Sequence, residues 1–435
     1  MKRVLLLATT TGYQTRMFGA AAERLGVELV FATDRCDVLE DPWRDHAIPV
    51  RFHEEDASVA AILKHSDSDR DNPIRGILVV GDRPTVIAAM AARELRLPGH
   101  QPPAAAASRN KLLTRERLRD CDLRTPWFFP TSTAADPSAL AGMIEYPCVI
   151  KPLMLSASRG VMRADDPTAF VESFNRLRAL LASAEVRAER APDEGAYDTI
   201  LVEGFIEGWE FALEGILHHG ALNALALFDK PDPLDGPFFE ETIYVTPSTA
   251  PDAMQWDIID AVARAAAAIG LSHGPIHAEC RVNDRGVYIL EVAARPIGGL
   301  CAKALGFQKR DGGRPGELVT LEELLMRHAL GESPTDWRRE TAASGVMMIP
   351  IPQRGIYRSV AGVDEAKAVA GVDDVQISAK PDQMLVPLPE GASYLGFIFA
   401  HGAAPDAVER SLRDAHARLR FAIDPELPMV QSRNG

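Results

Sequence analysis

Apolar and polar residues alternate in blocks over the first hundred positions. RVLLLAT (3–9), VELVFAT (27–33) and GILVVGD (76–82) are short apolar runs, the pattern of strands buried on both faces. TRMFGAAAERLG (15–26) and PTVIAAMAARELRLPG (84–99) carry apolar residues at helical spacing and end on Gly26 and on Pro98-Gly99. Strands alternating with helices predict a parallel α/β sheet. The turn TTTGYQ (9–14) lacks G-x-G-x-x-G, so it predicts no dinucleotide site. Its threonines either meet a small ligand at the C-terminal sheet edge or simply make a turn.

The pattern then loosens. HQPPAAAASRN (100–110) reads as a Pro/Ala linker, and Lys111 opens a basic helical segment, NKLLTRERLRDCDL (110–123). YPCVIKP (146–152) is an extended run, followed by the Ser/Gly turn of LMLSASRG (153–160), a renewed strand and a helix over about 167–191. ILVEGFI (200–206) is another strand, and FALEGILHHG with ALNALALFD (211–229) form an antiparallel pair about a His-Gly turn. The helix AVARAAAAIGL (261–271) leads to IHAEC and VYILEVA, joined by NDRG, a β-hairpin with Asn283 to Gly286 at its tip. From about Thr341 a third unit of short strands begins (GVMMIPIPQRG, DDVQISAK, QMLVPLPEG, YLGFIFAHG), covered by a helix over about 405–420.

A chain of 435 residues has room for two to four units with large cores. The formal charge of −14 argues against nucleic acid as the main partner, because phosphate neutralisation needs a basic surface. No apolar run nears the roughly 20 residues of a membrane span, and the N-terminal MKRVLLLATTTGYQ carries no cleavage signature. Cys36, Cys121, Cys148, Cys280 and Cys301 are scattered and fit neither a zinc site nor a disulfide framework, so a reducing cytoplasm is the expected compartment.

Chemistry concentrates in the hairpin. Glu279 and Glu291 lie a few residues from the turn, one on each strand, and antiparallel pairing brings them to one face about 5 Å apart. Two such carboxylates repel unless cations lie between them, and oxygen-only ligands suit Mg²⁺. An ordinary hairpin with surface charges gives the same letters. Arg295 follows in ARPIGG, placed for a phosphoryl group or an oxyanion. His277 alternates with Glu279 and either shares that face or is satisfied structurally. Upstream, Lys151 ends CVIK beside a loop whose N–H groups, Ser156, Ser158 and Arg159 suit a polyphosphate, although a flexible surface turn reads the same. VEGFIEGWE supplies an apolar strand, a Gly-containing hinge for a purine edge, and Glu210 for ribose hydroxyls, or else two glutamates flanking a bend. The proline-rich DKPDPLDGPFFEETIYVTPS (229–248) leads into a strand FFEETIYV, with Glu240 and Glu241 facing a substrate amine or lying in a solvated loop.

In order, Asn110-Lys111, VIKP with its serine loop, VEGFIEGWE and HAEC…LEVAARPIGG resemble the motifs of the ATP-grasp superfamily, over about residues 1–340. The E-V-A-A-R-P-x-G-G run and the appendage 341–435 look like the carboxylate–amine ligases that include the L-amino-acid (dipeptide) ligases. The resemblance implies an α/β ATP-grasp fold: a Rossmann-like preATP-grasp domain over 1–107, the ATP-grasp domain over 108–340 with a lid at about 113–205, and an α+β C-terminal domain over 341–435. It implies ATP-dependent, ADP-forming amide synthesis through an acyl-phosphate, with Mg²⁺, or Mn²⁺ in its place. Lys111 and Lys151 would bind the α- and β-phosphates, Ser156 to Gly160 (with Ser158 and Arg159) would close over the γ-phosphate, and Glu203, Gly204, Phe205 and Ile206 would line the adenine hinge. Glu210 would hold the ribose, Glu279 and Glu291 the metal, and Arg295 and Lys151 the reacting groups; Glu241, His277, Gly298 and Gly299 would meet the substrates. Ala293 stands where many superfamily members place a metal-binding Asn, and Gly204 where relatives often carry a long side chain. Expected partners are small carboxylates and amines and a second copy of the chain, with neither nucleic acid nor membrane. A carboxylase- or purine-pathway-like ligase, or a nucleotide-binding regulator without catalysis, are the alternatives.

Overall fold

The computed structural model describes residues 2–8, 13–34, 47–69, 71–191, 194–312 and 316–426. The turn at 9–12 and Cys36 lie outside them.

The apolar run near the N-terminus is the strand Lys2–Ala8, flanked in a parallel sheet by Val27–Asp34 and Ile74–Val79, with Ile48–Val50 at the edge. Both faces of Lys2–Ala8 are covered, as its unbroken apolar sequence requires: Leu5 and Leu7 face one core and Val4 and Leu6 another. That second core is shared. It continues through the helix Tyr13–Leu25 to Ile216, Phe228, Tyr244 and Phe397 of the largest sheet, so the N-terminal layer is fastened to the body of the molecule.

The largest sheet has eight strands in the order Gly286–Ala293, Gly274–Asn283, Trp209–His218, Ala221–Asp229, Ile243–Thr246, Ala343–Ile349, Gly396–Gly402 and Val372–Ile377. The expected third unit therefore contributes three strands to a sheet begun more than a hundred residues earlier. Thr246 pairs with Ser344 and Ile243 with Met347 across the join. The helix Asp252–Ile269 covers one face and ends on Gly270 at φ +90, a left-handed cap that glycine reaches without strain.

A four-stranded sheet, ordered Phe128–Ser132, Thr199–Gly204, Cys148–Pro152 and Met162–Ala164, stands apart as a flap packed on the helix Pro167–Leu181 through Phe170, Phe174 and Leu177. That helix stops at Leu181 and a separate turn of helix, Ala184–Ala188, follows with Ser183 as its cap; the sequence pattern had suggested one helix to about 191. The Pro/Ala stretch is also not a linker. Pro102–Arg109 is a helix, started by prolines in its first turn, and Ala104, Ala105 and Ala107 are buried. Alanine combines the best helix propensity with a small face, so this segment packs closely where a coil was expected. FFEETIYV is a strand only from Ile243; 238–242 arrives as irregular chain. Cys121, Cys148, Cys280 and Cys301 are free thiols, and no described helix is long and apolar enough to cross a membrane.

Candidate active site

A cleft of about 410 Å³ opens between the flap, the largest sheet and the edge of the N-terminal sheet. Of the candidate binding and catalytic residues singled out from sequence, all but Arg159, Gly160 and Glu240 line it. A wider groove of about 1010 Å³ at the hairpin tip, among Arg124, Asp257, Arg264 and Asp284, contains none of them.

Local structure explains how the cations arrive. Asn110 accepts the N–H groups of Leu112 and Leu113 at 3.1 and 3.2 Å, capping the helix Lys111–Asp120. Lys111 thereby becomes its first residue; its Nζ donates to the Leu155 carbonyl at 2.7 Å and lies 3.9 Å from Glu291 Oε2. Lys151, next to last in its strand, pairs with Glu203, and Arg115 holds the same carboxylate at 2.8 and 3.1 Å. Against its burial, these two cations hold Glu203 down at about 2. Burial pulls Lys151 below its ordinary value, since Glu203 is shared with Arg115. Glu203 is thus a buried strut tying the flap to the helix Lys111–Asp120, with Gly204 to Ile206 lining the cleft beside it.

The loop after Lys151 has Ala157 and Ser158 at φ +55 and Gly160 at φ +76. Ser156 is exposed and Ser158 half-buried at the cleft. Arg159 turns away: its Nε donates to the Glu390 carbonyl at 2.8 Å and its Nη2 pairs with Glu185 at 3.1 Å. Gly160 N–H donates to the Pro389 carbonyl at 2.8 Å, and a Cβ there would meet Leu177 at 2.9 Å. The loop is therefore clasped by the C-terminal segment.

The hairpin pairs Glu279 directly with Glu291, as the turn predicted, with a bulge just beyond at Cys280. Glu279 has a second set of neighbours. Lys230 Nζ donates to Glu210, Glu241 and Glu279, each at 2.8 Å, and the Tyr244 hydroxyl lies 2.8 Å from Glu241 and 3.1 Å from Glu279. Despite burial, the three carboxylates raise Lys230 well above its usual value. Burial and the charge of Glu279 push Glu241 up to about 7, while Lys230, with His277, outweighs burial and holds Glu279 well below the carboxylate range. His277 is buried between Glu214 and Glu279, which raise it to about 9 against desolvation. Glu214 also accepts the Ile297 N–H at 3.1 Å, fixing the start of the Gly298-Gly299 turn.

Two expected contacts are already committed. Glu210 gives one oxygen to Lys230 and the other to Arg281 Nε at 2.9 Å; Arg281 also donates to the Ile206 carbonyl at 2.7 Å. Arg295 forms a two-pronged pair with Asp82, at 2.9 and 3.1 Å, at the end of the N-terminal sheet. Gly204 has its own reason to be glycine, because a Cβ would lie 2.7 Å from the Trp127 indole nitrogen.

Lys230, Asp82, Arg115, Arg281 and Glu214 escaped the sequence reading. Asp82 and Lys230 each close an apolar run, the same signal that drew attention to Lys151, but their partners come from segments up to about two hundred residues away. The donor set of the cleft, paired carboxylates facing Lys111, Lys151 and Arg295, fits a hard divalent cation together with an anionic ligand.

Family models match an ATP-grasp N-terminal domain at residues 19–99, an ATP-grasp domain at 144–304 and L-amino acid ligase C-terminal domain 2 at 347–424. The protein y4rH of Sinorhizobium fredii is 23% identical over 429 residues, 98% of this chain and 84% of that one. Mouse carnosine synthase 1 is 25% identical over 256 residues, covering 57% of this chain and 30% of the synthase. Among solved structures, the L-amino acid ligase from Bacillus licheniformis matches with a TM-score of 0.79 and 24% identity, covering 98% of this chain and 99% of that one. The chain has the ATP-grasp fold, an ATP-grasp N-terminal domain and an ATP-grasp domain followed by an L-amino acid ligase C-terminal domain.

Proposed function

We propose that the protein is an ATP-dependent, ADP-forming carboxylate–amine ligase acting on amino-acid-like substrates. The observation that carries this reading is the convergence in one cleft of Glu279 opposite Glu291, the cations Lys111, Lys151 and Arg295, and Met348 and Tyr394 from the C-terminal part. Glu279 and Glu291 would hold Mg²⁺ or Mn²⁺, which when bound neutralises phosphate charge.

The substrate carboxylate attacks the γ-phosphorus of ATP, ADP leaves, and the amine displaces phosphate from the acyl-phosphate with loss of a proton. Lys111 and Lys151 present ammonium charge to phosphate oxygens, and Ser156 and Ser158 offer hydroxyls from the loop. The chain 203–206 frames the base. Arg295, oriented by Asp82, offers its remaining N–H groups to the oxygens that gain charge, at a position preorganised before substrate arrives. Glu241, poised near neutrality beside Lys230, lies where a substrate ammonium would be recognised and could give up its proton. Gly298 leaves its side of the pocket open, since a Cβ there meets nothing within 4 Å. A division at 1–107, 108–340 and 341–435, a homodimer and a cytoplasmic location complete this reading, the last on the scattered free thiols.

The match to an L-amino acid ligase C-terminal domain favours amino-acid-like substrates over those of a carboxylase- or purine-pathway-like ligase. Purified protein incubated with MgATP and amino-acid pools should release phosphate only when carboxylate and amine are both present, with an amide detected by mass. ATP binding without turnover on any pool would instead favour the non-catalytic regulator.

A further inference from the structure

Five of the chain's eleven histidines gather at the far end of the two strands that carry Glu210 and Glu279. His218 closes the strand Trp209–His218, His219 follows in the turn, His273 immediately precedes Gly274–Asn283, and His328 lies in the last turn of the helix Leu321–Ala329. With a strand rise of about 3.3 Å per residue, His273 is roughly 20 Å from Glu279, so this is not the cleft.

His100 is committed elsewhere: its Nδ1 accepts the Ser272 N–H at 3.2 Å and its Nε2 lies 3.3 Å from the Pro275 carbonyl. The other rings face one another. His218 Nδ1 is 3.2 Å from His328 Nε2, and the His273 ring lies 4.5 Å from that of His328. One nitrogen from each of His218, His273 and His328 lies within 4.8 Å of the other two. Zinc–nitrogen bonds of 2.0–2.1 Å in a tetrahedron put neighbouring ligand atoms roughly 3.4 Å apart. The His218–His328 pair is already near that spacing, and a modest ring movement of His273 completes a triangle. His273 Nδ1 is moreover buried with no hydrogen-bond partner, a condition native folds avoid unless water or an ion fills it.

We propose that His218, His273 and His328 bind one Zn²⁺ ion, with water or the exposed His219 as fourth ligand. An all-imidazole set selects a borderline transition metal over Mg²⁺, whose oxygen donors lie at the other end of the strands. Burial, reinforced by the neighbouring imidazoles, keeps His273 down at about 4 and His328 at about 3, consistent with unprotonated donors. The ion would staple two sheet strands to the helix behind them and stiffen the segment leading to His277 and Glu279.

The test uses the full chain, stripped with a chelator, desalted, and titrated with Zn²⁺ while millimolar Mg²⁺ occupies the carboxylates. We expect one zinc retained per chain, the intense visible bands of tetrahedral Co²⁺ on cobalt substitution, and a zinc-dependent rise in melting temperature. His218→Ala and His273→Ala, whose rings are only partly buried, should each weaken binding roughly 100-fold and abolish the melting shift while the far-ultraviolet circular dichroism is unchanged. Failure of the wild type to retain stoichiometric zinc overturns the site, and so does undiminished retention by the folded double variant. None of these readouts depends on turnover.

Discussion

Lys230 is the ammonium on which three carboxylates converge, with Arg281 and His277 as further partners of Glu210 and Glu279. Lys230→Met should lower stability by about 3–5 kcal/mol in urea unfolding at pH 7, because it leaves buried like charges facing one another. Glu291 plays the opposite part: at the cleft, its one ion pair within 4 Å among the described residues is with Lys111, at 3.9 Å. Glu291→Ala should therefore leave the melting curve in place while amine-dependent ADP release falls roughly 100-fold or more; a variant that turns over like the wild type would remove Glu291 from the metal site. Glu203 yields a pH prediction. Its folded value of about 2 lies below the ordinary 4.5, so its stabilisation is full above pH 4.5 and is lost as pH falls through 2. That contribution is about 3 kcal/mol. Glu203→Gln should be less stable than wild type at pH 7, with the gap narrowing as acid is added; a constant gap across that range would contradict the linkage.

At the scale of elements, the serine loop is held at both ends, by Lys111 on the Leu155 carbonyl and by Arg159 and Gly160 on the 389–390 segment. Arg176 adds a pair with Glu390. Arg159→Ala should speed hydrogen exchange of the amides at 155–161 by roughly tenfold, the equivalent of one lost hydrogen bond near 1.4 kcal/mol, without moving the global unfolding midpoint. The hairpin, the strand carrying Lys151 and the helix opened by Lys111 were legible because each follows from local signals: a turn tetrapeptide, an apolar run, a basic segment of helical character. The partners of those residues were not. That Asp82 meets Arg295, or that Glu210, Glu241 and Glu279 share Lys230, depends on strand order, which periodicity does not encode. The Ala-rich helix Pro102–Arg109 was mistaken for a linker because its buried face is made of methyl groups, too weak a hydrophobic signal to stand out beside two prolines.

For the whole molecule, the continuous eight-stranded sheet matters most. A chain cut at residue 341 would strip three strands from it, leave Ile243–Thr246 as a bare apolar edge and uncover Phe228 and Tyr244, which pack with Phe397 and Phe399. Such a truncation should be recovered as aggregate, judged by size-exclusion chromatography, and not as a smaller folded protein. Recovery of a cooperative, monomeric fragment would mean that the two parts fold independently.

The same ladder bears on recombination between relatives. A chimera with its crossover near residue 341 would join Ile243–Thr246 from one parent to Ala343–Ile349 from another. The two must agree in register, since a slip of one residue turns every side chain of the grafted strand to the opposite face. Exchanging the C-terminal part to obtain a new substrate pocket therefore means exchanging the 243–246 strand, and the acidic loop leading into it, along with the domain. The boundary visible in the order of the chain is not the boundary at which the protein can be recut.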